Sequence, residues 1–221
     1  MPRLTALHWR GFLVGLLAPL TAVALLASPP NLNADQIFFS KSFPGSAPAY
    51  FEVLLDSTGQ VSYREAPNEK DALEFRITPE EAAQLFQLAE KLEYFKAAIA
   101  SNKKVAFTGE KTLRFVGGSR DRMEVQFNYS QNADANAIVE WFEKVGETQR
   151  HRMVLERVVQ FDRLGVNKAL LQFQAALERG RIVGTRQFLP VLERIAGGQK
   201  YLHISRARAA SLAERIDAQE R

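Results

Sequence analysis

Residue types that can carry acid–base chemistry cluster in one predicted hairpin. Tyr50 and Glu52 lie in the segment YFEVLL, and Tyr63 and Arg64 lie in the segment QVSYRE that follows it. A carboxylate beside tyrosine hydroxyls and a guanidinium is a combination that can move protons or bind a polar group. An exposed hairpin face around these four residues therefore supports one hypothesis for the function, a hydrolase or an inhibitor-like module.

Three short motifs match catalytic or phosphate-binding patterns only in part. Asp56-Ser57-Thr58-Gly59 has one residue too many for the aspartic-protease loop, and the chain carries no second copy. Ser101-Asn102-Lys103-Lys104 has the Ser-x-x-Lys spacing of penicillin-binding enzymes but lacks their companion motifs. Gly109-Glu110-Lys111-Thr112 lacks the Gly-Lys adjacency of a phosphate loop. All three are predicted to be turns or strand entries.

The composition removes several further classes of site. The 221-residue chain contains no cysteine, which excludes disulfides, thiolate nucleophiles and iron–sulfur clusters. After residue 34 the only histidines are His151 and His203, and the arginines near each of them would repel a divalent cation. The sequence therefore predicts neither a cofactor nor a metal, and it favours a non-catalytic protein.

Residues 1–34 are predicted to be a signal peptide that directs export. Arg3 and Arg10 precede the apolar stretch GFLVGLLAPLTAVALLA at 11–27, and small residues follow it. We expect cleavage after Ala34, with cleavage after Ala24 and an uncleaved anchor formed by 11–27 as alternatives. The remaining chain is expected to be periplasmic or secreted. Membrane contact is then expected only through an uncleaved N-terminal segment, and export argues against nucleic acid as a partner.

Residues 35–147 are predicted to form an α+β domain, an antiparallel sheet of hairpins with two packed helices. Gly59 is expected to close the first hairpin in a left-handed conformation. This closure pairs Val53 with Tyr63 on the apolar face and Glu52 with Arg64 on the other face. Further strands are predicted at 72–77, 104–107, 111–116 and 122–129. Helices are predicted at 79–95, after the N-cap Thr78, and at 135–145, ending at Gly146.

Residues 148–221 are predicted to be a basic, all-α extension of three to four helices. This unit has net charge +7, whereas 35–147 has net charge −5. Arginine suits bidentate contacts with carboxylates and phosphates. An arginine-rich helical face therefore predicts an anionic partner, such as phospholipid headgroups, an acidic envelope component or an acidic protein. Docking of this unit on the acidic sheet domain is the alternative explanation of the charge. The candidate partner-binding residues are Arg150, Arg152, Arg157, Arg206 and Arg208.

Turn and cap residues form three motifs in the first unit: Pro44-Gly45-Ser46-x-Pro48-x-Tyr50, the hairpin Leu55-Asp56-x-x-Gly59-x-Val61-x-Tyr63 and Thr78-Pro79-Glu80-Glu81. Together these motifs resemble those of an uncharacterised family of exported bacterial domains. The resemblance covers roughly residues 40–147 and implies a strand entry, a hairpin and a following helix. It implies no activity and no active-site residues. The hypothesis that the sequence favours is a non-catalytic, exported binding or structural module of the cell envelope.

Overall fold

A computed structural model describes residues 34–67, 69–117 and 120–219 of the chain. The predicted signal peptide, including the apolar stretch 11–27, lies outside the described residues except for Ala34. Within the described ranges, no helix is both long and apolar enough to cross a membrane.

Within these residues the fold is a six-stranded antiparallel sheet with five α-helices, which confirms the predicted α+β class with C-terminal helices. The strand order is β4-β3-β2-β1-β5-β6. The strands are β1 (Gln36–Ser42), β2 (Tyr50–Asp56), β3 (Gln60–Arg64), β4 (Leu73–Arg76), β5 (Glu110–Gly117) and β6 (Arg120–Phe127). The α-helices are α1 (Pro79–Lys91), α2 (Ala133–Phe161), α3 (Val166–Glu178), α4 (Leu189–Gly197) and α5 (His203–Gln219), with 3₁₀ turns at Glu93–Phe95 and Thr185–Phe188.

The hairpin of β2 and β3 has the predicted register. Val53 lies opposite Tyr63 and Glu52 lies opposite Arg64, with 3.7 Å between the Glu52 carboxylate and the Arg64 guanidinium. The turn is held by Asp56, whose carboxylate accepts the backbone N–H groups of Thr58 at 2.9 Å and Gln60 at 3.0 Å. The predicted N-cap of α1 is also confirmed, because the Thr78 hydroxyl accepts the N–H of Glu81.

Two strand assignments differ from the sequence predictions. The central strand β1 was not predicted, although it pairs with β2 on one side and β5 on the other. The strand predicted at 104–107 is wrong, since this segment forms no ladder. There the side chain of Asn128 takes the place of a neighbouring strand, because it accepts the N–H of Thr108 at 2.7 Å and donates to the Ala106 carbonyl at 3.1 Å.

The prediction that a helix ends at Gly146 is also wrong, because α2 is 29 residues long and continues through that position. Glycine inside a helix costs about 1 kcal/mol relative to alanine. Here its missing side chain lets the helix lie close to the sheet, since a Cβ atom at Gly146 would be 3.3 Å from the Phe51 ring. Close packing of α2 on β2 therefore explains a glycine that resembles a helix terminator in the sequence.

Helix α2 contributes to two separate apolar cores. Its first half packs with α1 over one face of the sheet, in a core that contains Phe39, Phe115 and Phe142. Its second half packs with α3, α4 and α5 around Phe173 and Phe188. The position between residues 147 and 148, where the sequence suggested a division, lies within this shared helix.

Candidate functional site

A cleft of about 590 Å³ opens between the β1–β2 connection, the middle of α2 and the end of α3. We call it the loop–helix cleft, and its lining comes from residues 41–51, 143–154 and 172–181. Ala175 and Ala176 line the α3 side, where their short side chains leave room, and Phe51 lies on the sheet side. The volume is within the range of clefts that bind small molecules.

The rim of the cleft is the Pro44-Gly45-Ser46-Ala47-Pro48 loop, which is ordered by its own hydrogen bonds. The Ser46 hydroxyl lies 2.8 Å from the Phe43 carbonyl oxygen and 2.6 Å from that of Pro48. The Arg150 guanidinium donates to the Ala47 carbonyl and ties the loop to α2. The rim is therefore formed before any ligand binds, which lowers the entropic cost of binding.

Helix α2 presents a mixed row of charged and neutral side chains to the cleft. Glu143, Glu147, Arg150, His151 and Val154 all line it, and successive members of the row are one to four residues apart. This spacing places them along one side of an α-helix. The row passes without interruption across Gly146, so it exists only because α2 continues through that glycine.

Two of the basic residues in the cleft are neutralised by carboxylates. Lys41 lies 2.7 Å from Glu143, and Arg181 lies 2.8 Å from Glu147. The guanidinium of Arg181 also lies 3.6 Å from Glu140, at the edge of the same group. These pairs hold β1 and the segment after α3 against α2. Each pair joins one positive and one negative group, so the pairs add no net charge to the cleft.

Arg150 and Arg179 carry the excess positive charge of the cleft. Both are exposed, and neither has a carboxylate within ion-pair distance among the residues that the structure describes. Arg150 uses one guanidinium nitrogen on the Ala47 carbonyl and keeps further donors available. Two guanidiniums without acidic partners at the mouth of a cleft make an electrostatic environment that favours an anion.

His151 is a neutral polar group in this cleft. Burial lowers the pKa of His151 below its usual 6.5, the Glu147 carboxylate raises it in part, and Arg150 lowers it further. The ring lies 6.4 Å from that of Phe173 in α3. At neutral pH the imidazole is therefore uncharged, and it can donate one hydrogen bond and accept another.

The lowered pKa of His151 predicts an acid-dependent loss of stability. Because the folded-state pKa lies below that of the unfolded chain, the unfolded state binds the proton more readily. The stabilisation from His151 is then present above about pH 6.5 and is lost as the pH falls through the folded-state value. Urea unfolding from about pH 7 to 5 is expected to show a steeper decline for the native protein than for His151→Gln.

The control for this experiment is His203→Gln, which removes the same ring from an exposed position at the start of α5. Its stability profile is expected to run parallel to that of the native protein. Parallel profiles for the native protein and His151→Gln would contradict the prediction.

The structure places the five candidate arginines in separate surroundings. Of the five, only Arg150 lines the loop–helix cleft. Arg152 is two residues further along α2, a rotation of about 200°, and donates instead to the Gln187 side chain at 3.4 Å. Burial lowers the pKa of Arg152, and Glu156 raises it in part. Arg157 is exposed near the end of α2, beyond the cleft.

The two candidate arginines of α5 are engaged with neighbouring amides. Arg206 donates to Gln199 at 3.0 Å, and Arg208 donates to Gln174 of α3 at 2.6 Å. Both hold the last helix against the rest of the helical core, and the Nε atom of each is buried with no hydrogen-bond partner in the described part of the chain. The five arginines therefore do not form one continuous helical face.

The hairpin residues are divided between the two faces of the sheet. Tyr50 donates to Glu52 at 2.7 Å, and Glu52 also faces Arg64, so these three lie together on the outer face. The expectation that Tyr63 shares an exposed face with them is wrong, because Tyr63 is 1% exposed in the core. Its hydroxyl donates to Glu65 at 2.9 Å. The cause is the alternation of the strand, which points Tyr63 and Arg64 in opposite directions.

Burial raises the pKa of both hairpin tyrosines. For Tyr50, the hydrogen bond and the charge of Glu52 raise the pKa further. For Tyr63, the charge and the hydrogen bond of Glu65 act in the same way. Both hydroxyls therefore stay protonated at neutral pH and act as hydrogen-bond donors.

Lys41, His151 and Arg179 were not predicted to belong to one site. Lys41 lies in the strand that was not predicted, and Arg179 lies at the end of α3, distant from it in the sequence. The spacing of Glu143, Glu147 and His151 was a usable signal, since residues four apart share a helix face. It was hidden because the helix was expected to end at Gly146.

No group of three or more metal-binding side chains comes together within 34–67, 69–117 and 120–219.

Comparison with known proteins finds no family model, no curated protein and no solved structure that matches the chain.

Proposed function

We propose that this protein is a non-catalytic, exported binding module of the cell envelope that takes an anionic ligand into the loop–helix cleft. The observation that carries the proposal is the pair Arg150 and Arg179, which line a cleft of about 590 Å³ and have no carboxylate partner in the described residues. The net charge of +7 over residues 148–221 supports the proposal. The signal-peptide pattern of residues 1–34 supports the export that it includes.

The ligand class follows from the groups that line the cleft. Guanidiniums bind carboxylates and phosphates through paired N–H donors. Phe51 and Val154 add apolar surface below and beside these charges. A small amphiphilic anion, with one carboxylate or phosphate group and a short apolar part, fits both features. His151 supplies a neutral hydrogen-bonding group for a polar substituent on the same ligand.

Neutralising the two arginines is expected to weaken the binding of an anionic probe. Anilinonaphthalene sulfonate has both an anionic group and an apolar ring system, and its fluorescence rises on binding. We expect its dissociation constant to increase about tenfold or more for the double variant Arg150→Gln with Arg179→Gln. Each single variant should account for part of this change. Fluorescence titration measures the effect, and circular dichroism verifies the fold of each variant.

The matched control is Arg76→Gln, which removes one arginine charge from an exposed position of β4 outside the cleft. Its dissociation constant should stay within about twofold of the native value, because solvent and salt screen an exposed charge that does not contact the ligand. Equal weakening by the control would show that the probe responds only to total charge. Displacement of the probe by short alkyl carboxylates or by alkyl phosphates then separates the two ligand classes.

A further inference from the structure

The turn that joins α2 to α3 exposes the two least buried large apolar side chains of the described residues. Phe161 is 75% exposed and Leu164 is 78% exposed. They lie three residues apart, Phe161 as the last residue of the 29-residue helix α2 and Leu164 in the turn after it. We call residues 157–168 the helical tip. Together they form an exposed apolar patch that belongs to neither apolar core.

The helical tip is also basic. Arg157, Arg163 and Lys168 are all exposed, and none has an ion-pair partner among the residues described. The one acidic residue, Asp162, is engaged locally, since its carboxylate accepts the N–H of Gly165 at 3.0 Å. The carboxyl end of α2 and the amino end of α3 meet here, so their opposite dipoles offset each other. The side chains therefore set the charge of the tip.

The turn holds Phe161 and Leu164 in an outward position. The Gly165 N–H also donates to the Asp162 carbonyl at 3.1 Å, which closes the turn. A short, closed turn of this kind presents its apolar side chains without having to rearrange on contact with a partner.

We propose that the helical tip inserts Phe161 and Leu164 into the interface of a bilayer that contains anionic phospholipids. Two apolar side chains surrounded by three basic ones match such a surface, because the apolar groups enter the acyl boundary while the basic groups contact lipid phosphates. A protein partner fits less well, because a stable protein interface buries about 800 Å² on each side, far more than two side chains supply.

The proposed contact is separate from the loop–helix cleft. Arg150 and Phe161 are eleven residues apart on α2, which places them about 16 Å apart along the helix axis. Binding of an anion in the cleft and insertion of the tip therefore involve different side chains. A negative result for anion binding in the cleft therefore does not decide whether the tip inserts, and the reverse also holds. The tip would also give the protein a membrane contact that does not depend on residues 11–27.

The absence of cysteine allows a site-specific test of insertion. Leu164→Cys in the full-length protein creates a single labelling position for an environment-sensitive fluorophore. We expect a blue shift when the labelled protein meets vesicles made from equal parts of phosphatidylcholine and phosphatidylglycerol. We expect no shift with vesicles of phosphatidylcholine alone. A second labelled protein, Phe107→Cys, carries the dye at an exposed position in the segment before β5 and should show no shift.

The position of the dye separates tip insertion from anchoring by the N-terminal segment. An inserted N-terminal segment brings the protein to the vesicle without immersing position 164. The lipid concentration that produces half of the shift should rise about a hundredfold when Arg157→Gln, Arg163→Gln and Lys168→Gln are added to the labelled protein. Adding Phe161→Ser instead should raise that lipid concentration about tenfold.

Three outcomes overturn the proposal. The first is an unshifted dye at position 164 with anionic vesicles, whether sedimentation finds the protein on the vesicles or in solution. The second is an equal shift with both kinds of vesicle, which removes the role of lipid charge. The third is a shift that rises with protein concentration when no vesicles are present, which identifies a second copy of the chain as the partner of the tip.

Discussion

Phe142→Ala is expected to lower the free energy of unfolding by about 3–5 kcal/mol, as buried phenylalanine truncations do. Phe142 lies on α2 and is fully buried over the central strand β1. Its ring stacks on that of Phe39 at 5.0 Å and meets the edge of Trp141 at 5.1 Å. Truncation leaves a cavity between α2 and β1 that rigid neighbours on both sides cannot fill.

The matched control for this substitution is Phe161→Ala, which removes the same atoms from the same helix. Phe161 is 75% exposed, so its truncation should change the free energy of unfolding by less than about 0.5 kcal/mol. Urea unfolding followed by circular dichroism measures both variants. Similar losses in the two variants would mean that α2 does not pack on the sheet as the structure shows.

Gly59→Ala is expected to cost about 2–5 kcal/mol, from two separate causes. Gly59 has φ of +83°, and a residue with a side chain pays about 1–2 kcal/mol for a left-handed backbone. In addition, the new Cβ atom would lie 2.9 Å from the carbonyl oxygen of Ile77. The two segments cannot separate freely, since the Ile77 N–H donates to the Gly59 carbonyl at 2.9 Å. Relief of that contact adds about 1–3 kcal/mol.

Gly45→Ala separates the two causes. Gly45 has φ of +89°, close to the value at Gly59, but nothing lies within 4 Å of the position of its Cβ atom. Its substitution should therefore show only the cost of the left-handed backbone. Equal free-energy losses for Gly45→Ala and Gly59→Ala in urea unfolding would show that the contact with Ile77 contributes nothing.

Local features of the fold were predictable because their causes lie within a few residues. The β2–β3 hairpin follows from the turn residues Asp56 and Gly59 and from the alternation of the flanking strands. The start of α1 follows from the capping side chain of Thr78 and the proline after it. In each case the hydrogen bonds that decide the conformation join near neighbours in the sequence.

The central strand β1 was not predictable from its own sequence. Ile37, Phe38 and Phe39 form a continuous apolar run rather than an alternation, so the run does not indicate a strand with one polar face. Ile37 and Phe39 enter the core, whereas Phe38 lies on the outer face under the Arg114 guanidinium, 4.4 Å from it. That contact comes from β5, a partner strand more than seventy residues later.

The sequence by itself determined the α+β class, the hairpin register, the capping of α1 and the basic character of the helical part, because these depend on local patterns and on composition. Only the tertiary structure decided that α2 continues through Gly146, since the reason is the approach of the Phe51 ring from another strand. The same packing brings Lys41, Arg150 and Arg179 around one cleft and places Tyr63 in the core. The spacing of Glu143, Glu147 and His151 indicates one wall of the candidate site, whereas the other walls come from long-range packing that no local pattern in the sequence encodes.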